Sequence, residues 1–246
     1  MITDCLAGMG CLAEGFRIIA RPGMRRYAVA PALVSLVVFL VLAAVLGWGF
    51  EAWMNALLPA GWGWLQWLLW PLFALAILLV WLFTYIHLTN LIAAPFNDLL
   101  AERVLAEIRG APPPEEGWAQ ALREGVRAVG NTAAVLVYSL RWALPLLVLT
   151  LIPGLNVVAP VLWTVFNAWL LALEYADYPL GARGLAFREQ RVLVARQRPG
   201  ALGFGLAVLV LTGIPGLNLL AMPAAVAGAT RLFAGAPGAE ASHESS

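Results

Sequence analysis

Apolar residues recur at helical spacing from the first turn of the chain, at Ile2, Leu6, Met9, Leu12, Phe16 and Ile19, with Asp4, Glu14 and Arg17 mostly off that stripe. The pattern predicts an amphipathic helix over 1–21 lying in a membrane interface, ended by Arg21-Pro22-Gly23. From Ala28 to Phe50 no charged residue appears. At about 1.5 Å of rise per residue that stretch crosses a hydrocarbon layer about 30 Å thick, so 24–50 is expected to be the first spanning helix. Pro59 and Gly61 mark a short connection, and Trp53, Trp62, Trp64, Trp67 and Trp70 crowd it as an aromatic belt crowds a membrane surface. A second span is expected over 64–97, long enough to tilt or to project beyond the bilayer.

The pattern then changes. Residues 98–131 are charged and amphipathic, with Leu99, Leu100, Val104, Leu105 and Ile108 before Ala111-Pro112-Pro113-Pro114 and Trp118, Leu122, Val126 and Val129 after it. Consecutive prolines cannot continue a helix, so this region reads as a helical hairpin outside the membrane core. Beyond it lies an internal repeat. Ile152-Pro153-Gly154-Leu155-Asn156 returns as Ile214-Pro215-Gly216-Leu217-Asn218, each copy within an apolar stretch and each followed by another proline, Pro160 or Pro223. Trp142–Ile152 and Ala201–Ile214 read as too short to span, and Pro-Gly frees backbone groups that hydrocarbon cannot satisfy. The segments 132–176 and 200–234 therefore read either as re-entrant hairpins that penetrate part of the bilayer, as in transporters with discontinuous helices, or as conventional hairpins with similar tight turns. The expected fold is an all-α integral membrane protein: a single membrane domain over 1–234 with two spanning helices, two broken hairpins, the interfacial helix and the extramembrane hairpin, then a disordered tail over 235–246.

Composition agrees with this class. The chain is 62% hydrophobic and only 12% charged, with mean hydropathy +0.83, whereas soluble domains run near a quarter charged. No Asp, Glu, Lys or Arg occurs between Glu51 and Asp98. A net charge of +1 without a basic tail argues against nucleic acid as a partner. The first twenty residues lack the continuous apolar run of a cleavable signal. Cys5 and Cys11 form no CxxC pair, so no metal site, cofactor or disulfide is expected from them. Every basic side chain is Arg. With two spans and two re-entrant hairpins, nearly all of them share one side with both termini, which the positive-inside rule makes cytoplasmic.

Candidate chemistry centres on Gly23-Met24-Arg25-Arg26, immediately before the first spanning helix. Backbone N–H groups and two guanidiniums there face the positive end of a helix dipole, an arrangement that suits a tetrahedral oxyanion or, equally, lipid phosphate. Arg141, Glu174 and Arg231 interrupt the apolar hairpins and read as lining a permeation path or as snorkelling to the interface. Glu102, Arg103 and Glu107 fall on the hairpin beyond the second span, where Arg103 and Glu107, four apart, can pair; they line a pore entrance or form a solvated face. Asn156 and Asn218 either hold their turns through Asx hydrogen bonds or present amides to a passing anion. His87 stands near the end of the second span as an interfacial or a pH-sensing group. Arg188, Arg191 and Arg198 are expected on one face of a linker helix, meeting anionic headgroups.

Arg21-Pro22-Gly23-Met24-Arg25-Arg26, Ile92-Ala93-Ala94-Pro95-Phe96-Asn97 with Leu99-Leu100-Ala101-Glu102, Asp177-Tyr178-Pro179 and the two Ile-Pro-Gly turns together resemble the CysZ sulfate permease family over almost the whole chain. The resemblance implies sulfate uptake across a bacterial inner membrane for cysteine synthesis, with sulfite or related oxyanions as further ligands. It also implies a homo-oligomer in the lipid bilayer, two true spans with hemi-penetrating hairpins, and a sulfate site at Gly23, Met24, Arg25 and Arg26. The same family is thought able to assemble protomers inserted in opposite directions, whereas one-sided arginines favour a single orientation. No HExxH, GxSxG or Walker motif is present, and Gly200-Ala201-Leu202-Gly203-Phe204-Gly205 lacks the strand-turn-helix setting of a dinucleotide site, so no enzymatic activity or catalytic residue is expected. A generic anion channel and a non-transporting membrane scaffold remain as alternatives.

Overall fold

The computed structural model describes residues 1–57, 63–110, 118–214 and 217–235, with backbone alone at 32, 57, 82–92, 94, 118–129, 218 and 219. The described residues are helical with no strand: α1 Ile2–Ile19, α2 Arg25–Leu57, α3 Gly63–Arg109, α4 Trp118–Leu151, α5 Ala159–Gly181, α6 Phe187–Arg196, α7 Arg198–Thr212 and α8 Asn218–Phe233. A single 3₁₀ turn at Leu155–Val157 joins α4 to α5. The chain is thus all-α, and its long apolar helices are those of a membrane protein. The Pro59–Gly61 connection, the Ala111–Pro114 break, the second turn's Pro215 and Gly216, and the tail from 236 lie outside the described residues, as do the side chains of His87 and Asn218.

Three helical stretches are long and apolar enough to cross a bilayer: Arg25–Ala56, Trp64–Trp81 and Gly130–Leu151. The third departs from the expectation that the approach to the first Pro-Gly turn is too short to span. Arg141 interrupts the apolar run just before Trp142, but one helix carries it through Trp118–Leu151, and a single guanidinium does not end a helix. By contrast α7, with 15 residues, and α8, with 16, extend only about 22–24 Å, short of a core about 30 Å thick. Nor does α3 stop at residue 97; it runs unbroken to Arg109.

Ala28–Phe96 make a compact unit of their own. Within it Phe39 meets Trp81 at 5.3 Å between ring centroids, and Phe50 stacks on Phe73 at 4.0 Å with Trp70 edge-on at 5.5 Å. Leu33, Leu36, Val37, Leu40 and Val41 on α2 are exposed, which only a hydrocarbon solvent makes inexpensive. Pro31 lies inside α2, Pro71 and Pro95 inside α3. Ser35 Oγ donates to the Pro31 carbonyl at 2.7 Å.

The second unit comprises Met1–Tyr27 with the chain from Asn97 onward. Its core is α1 packed on α7 and α8, with α5 against the same pair. The buried face of α1 is Gly8, Leu12, Gly15, Ile18 and Ile19; of the apolar stripe it takes Leu12 and Ile19, whereas Ile2, Leu6 and Met9 are exposed. Backbones touch there. A Cβ on Gly8 would strike the Gly200 carbonyl, one on Gly203 the Cys5 carbonyl, one on Gly15 the Ala224 carbonyl, and one on Gly205 the Ala168 carbonyl. Small residues that let helices approach this closely are how membrane helices gain packing where the hydrophobic effect does not act. The glycine-rich 200–205 run is therefore a helix-packing face. Ala221, Ala224, Ala225, Val226 and Phe233 of α8 and Phe204 of α7 complete the core.

A buried polar hub ties α4, α5 and α6. Asp177 Oδ1 accepts from Gln190 Nε2 at 2.6 Å and from Asn131 Nδ2 at 3.2 Å. Asn131 Oδ1 accepts the Phe187 N–H at 3.0 Å, and Gln190 Nε2 also donates to the Leu185 carbonyl. Glu189 Oε2 accepts the Ala186 N–H and so caps α6. The linker differs from the expected single helix: α6 ends at Arg196 and α7 begins at Arg198, which takes Arg198 off the face of Arg188 and Arg191, and Arg191 stacks over the Tyr138 ring at 5.2 Å.

Two predictions follow from this packing. Gly8→Ala forces two backbones apart and is expected to lower the melting temperature in detergent, an overpacking cost of about 1–3 kcal/mol. Gly10→Ala, where a Cβ meets nothing, should raise it slightly. Asp177→Ala strands two amides at about 1–3 kcal/mol each, so the same melts should fall well below those of Asp4→Ala, whose carboxylate is exposed beside the N-terminal ammonium.

Candidate anion site

The junction between α1 and α2 is shaped by its glycine. Arg21 O accepts the Met24 N–H at 3.1 Å and the Arg25 N–H at 3.3 Å. Gly23 sits at φ +94°, in the region where a Cβ is strained, as the residue after proline in a tight turn must. The N–H groups of Gly23 and Arg26 donate to no backbone carbonyl among the described residues. α2 begins at Arg25, so its positive dipole end lies here, and Arg21, Pro22, Gly23, Arg25 and Arg26 are exposed.

Arg25 and Arg26 are held in different ways. Arg25 Nε donates to the Ala20 carbonyl at 2.6 Å and so caps the C-terminus of α1, with its terminal guanidinium nitrogens turned to no acceptor among the described residues. Arg26 lies over the Tyr27 ring at 4.9 Å, and Nη2 donates to the Tyr27 hydroxyl at 3.0 Å. Neither guanidinium faces a carboxylate among the described residues.

Behind the turn opens a charged cleft of about 500 Å³, lined by Glu14, Arg17, Arg21, Glu107, Arg231 and the apolar Ile18, Val104 and Ile108. That exceeds a water molecule's share of about 30 Å³ many times over, so a hydrated oxyanion fits. Arg21 Nη1 meets Glu107 Oε1 at 2.7 Å. Arg231 Nε meets Glu14 Oε2 at 3.2 Å. Glu107 thus pairs across 86 positions instead of with Arg103, its neighbour one turn away, because it lies on the side of α3 turned to the α1–α2 junction. Arg17 has no carboxylate partner among the described residues. Cys11 borders the Glu14–Arg231 pair; burial holds its thiol above the ordinary range, Glu14 adds to this and Arg231 opposes it, so it packs as a small neutral group.

The structure brings Glu107 and Arg231 together in one cleft and leaves other expected path residues elsewhere. Arg103 is exposed and Glu102 half-buried on α3. Arg141 is exposed on α4 and Glu174 on α5. Asn156 is exposed, and its turn is closed by backbone bonds, Asn156 N–H to the Ile152 carbonyl at 3.1 Å and Val158 N–H to that of Leu155 at 3.1 Å, with Gly154 at φ +88°. Of the two roles read for Asn156, the Asx hydrogen bond is not made among the described residues. Glu14, Arg17 and Arg21 were not singled out from the sequence as lining a path. The signal for Glu14 and Arg17 is a pair of opposite charges three positions apart on a mostly apolar helix.

A larger hollow of about 650 Å³, lined by Gln66, Trp67, Trp70, Pro71 and Ala74, holds no charged side chain and belongs to the aromatic end of the first unit. Asn97, 1% exposed, lies beside Tyr178, so two of the motifs read from the sequence meet as packing partners.

The family model described as sulfate transporter CysZ/Etoposide-induced protein 2.4 matches residues 11–223. A sulfate transporter CysZ of Pseudomonas paraeruginosa is 39% identical over 229 residues, covering 92% of this chain and 93% of its own. One of Salmonella typhimurium is 37% identical over 234 residues, covering 92% of this chain and 91% of its own. With a match over most of its length and relatives above a third identical, the chain belongs to the sulfate transporter CysZ/Etoposide-induced protein 2.4 family.

Proposed function

We propose that the protein is a sulfate permease of a bacterial inner membrane, crossing it several times, that takes up sulfate for cysteine synthesis as a homo-oligomer. The carrying observation is the turn Gly23–Arg26: unspent backbone N–H groups, the start of a long apolar helix and two guanidiniums without carboxylate partners among the described residues. Family membership and the relatives' names support sulfate as the anion. Sulfate lands on Gly23, Met24, Arg25 and Arg26, where forked donors match paired oxygens. From there the charged cleft of Arg21, Glu107, Glu14, Arg17 and Arg231 leads inward, and Glu102, Arg103, Arg141, Asn156, Glu174 and Asn218 are candidates for the remainder of the route.

The short helices support partial penetration by the second hairpin. α7 and α8 are each shorter than the hydrocarbon layer is thick, which favours a hairpin that enters the membrane without crossing it. The first hairpin has the length to span: α4 carries a spanning stretch, and α5, whose Asp177 meets Asn131 near the start of that stretch, returns over the same distance.

Labelled sulfate entry into liposomes reconstituted with the pure protein tests this reading. Wild type should exceed empty vesicles. Arg25→Ala with Arg26→Ala removes at least two charge-assisted bonds of about 1.5 kcal/mol or more each, so sulfate binding should weaken about 100-fold, with the preference over chloride mostly lost. Absence of flux in wild type would favour a scaffold; flux unchanged in the double variant would move the site elsewhere. Equal binding of chloride and sulfate would indicate a generic anion channel.

A further inference from the structure

We infer that the cleft behind the turn is a second anion site, occupied in this state by the protein's own carboxylates, and that Glu14 and Glu107 act as tethered stand-ins that a dianion displaces as it enters. The inference rests on the permease reading for the identity of the anion, but none of Gly23, Met24, Arg25 and Arg26 lines the cleft.

Three guanidiniums and two carboxylates line the cleft. Each carboxylate holds one guanidinium, Glu107 that of Arg21 and Glu14 that of Arg231, and Arg17 is left over. The donors are those an oxyanion needs, and the acceptors already on them are carboxylate oxygens at 2.7 and 3.2 Å. About half of each paired side chain is exposed: 54% and 51% for Arg21 and Glu107, 53% and 47% for Arg231 and Glu14. Such pairs gain little from each other and open readily. The partners also come from separate places in the chain, Glu14 and Arg17 from α1, Arg21 from the turn, Glu107 from α3 and Arg231 from α8, so no single helix turn explains their convergence.

Charge counting makes the exchange specific. The cleft carries +1 with both carboxylates in place. One tetrahedral dianion brings the two negative charges that the two carboxylates supply, so when both swing to solvent the charge within the cleft is unchanged. A monovalent anion replaces only one of them and leaves the other pair closed. Arg17 attracts the incoming anion while the other guanidiniums are still engaged. Selection for a doubly charged oxyanion over chloride then arises inside the cleft, independently of the turn.

The test uses the full-length protein in detergent with inorganic sulfate as the probe, in the Arg25→Ala, Arg26→Ala background so that the turn does not report. Adding Glu14→Gln and Glu107→Gln keeps side-chain size and removes the competing charges. Sulfate affinity by calorimetry should rise at least tenfold over the background, chloride should then compete, and Arg17→Ala added to the set should remove the gain. Melting curves of each variant confirm that it is folded; should the paired change melt early, Glu107→Gln alone is measured, with a smaller rise expected. A folded Glu→Gln variant that binds sulfate no better than its background overturns the second site. Loss of flux in wild-type vesicles would instead count against the permease reading, and leaves the binding result to stand by itself.

Discussion

Contact between backbones, at Gly8 with Gly200, Cys5 with Gly203 and Gly15 with Ala224, fixes α1 against α7 and α8, and the remaining arrangement of this unit follows from it. Lipid provides no hydrophobic drive to bring helices together, so close van der Waals fit has to do so. Glycine on one helix against a carbonyl on the other permits only one depth and one rotation of α1. That rotation sets Glu14 beside Arg231 and turns Arg17 to the same cleft. It also places the end of α1 where Arg21 can reach Glu107. The large residues left outside, Ile2 and Leu6, then face the lipid.

The Asp177 hub plays the complementary part for the other elements. Hydrogen bonds in a medium of low dielectric are costly to leave unmade, and one carboxylate oxygen receives amides from α4 and α6. Glycine contacts hold α1 to the short hairpin by shape; the hub holds α4 and α6 to α5 by polarity. Since α5 also packs on α7 and α8, the two devices share one core.

Much of this was legible in the sequence, and the reasons it was not elsewhere are physical. Helical class and the apolar spans follow from run length and charge gaps alone, because hydrocarbon thickness imposes them. Gly23 and Gly154 take the positive φ that Pro-Gly announces. The packing face of α1 is not legible from hydropathy, because Gly8 and Gly15 set it together with Leu12 and Ile19, while Ile2, Leu6 and Met9 of the same apolar stripe stay exposed. The length of α4 was misread through Arg141, whose charge suggested an end where none exists. The cleft depended on pairs separated by 86 and 217 positions, which no periodicity encodes; Arg103–Glu107, the pair that spacing does encode, is not the one Glu107 makes.

One electrostatic difficulty of the turn is resolved by Arg25. An anion at the start of α2 also stands beside the end of α1, whose last carbonyls carry the negative end of that helix dipole and would repel it. Arg25 Nε donates to the Ala20 carbonyl, and Arg17 occupies the last turn of α1, so cations cover the unfavourable helix end while the favourable one stays open. Lysine would neutralise the carbonyl with its only charged nitrogen; the guanidinium spends Nε there and retains its forked pair. The use of arginine at this position thus has a geometric reason beyond composition: one side chain cancels a helix end and remains able to bind an oxyanion.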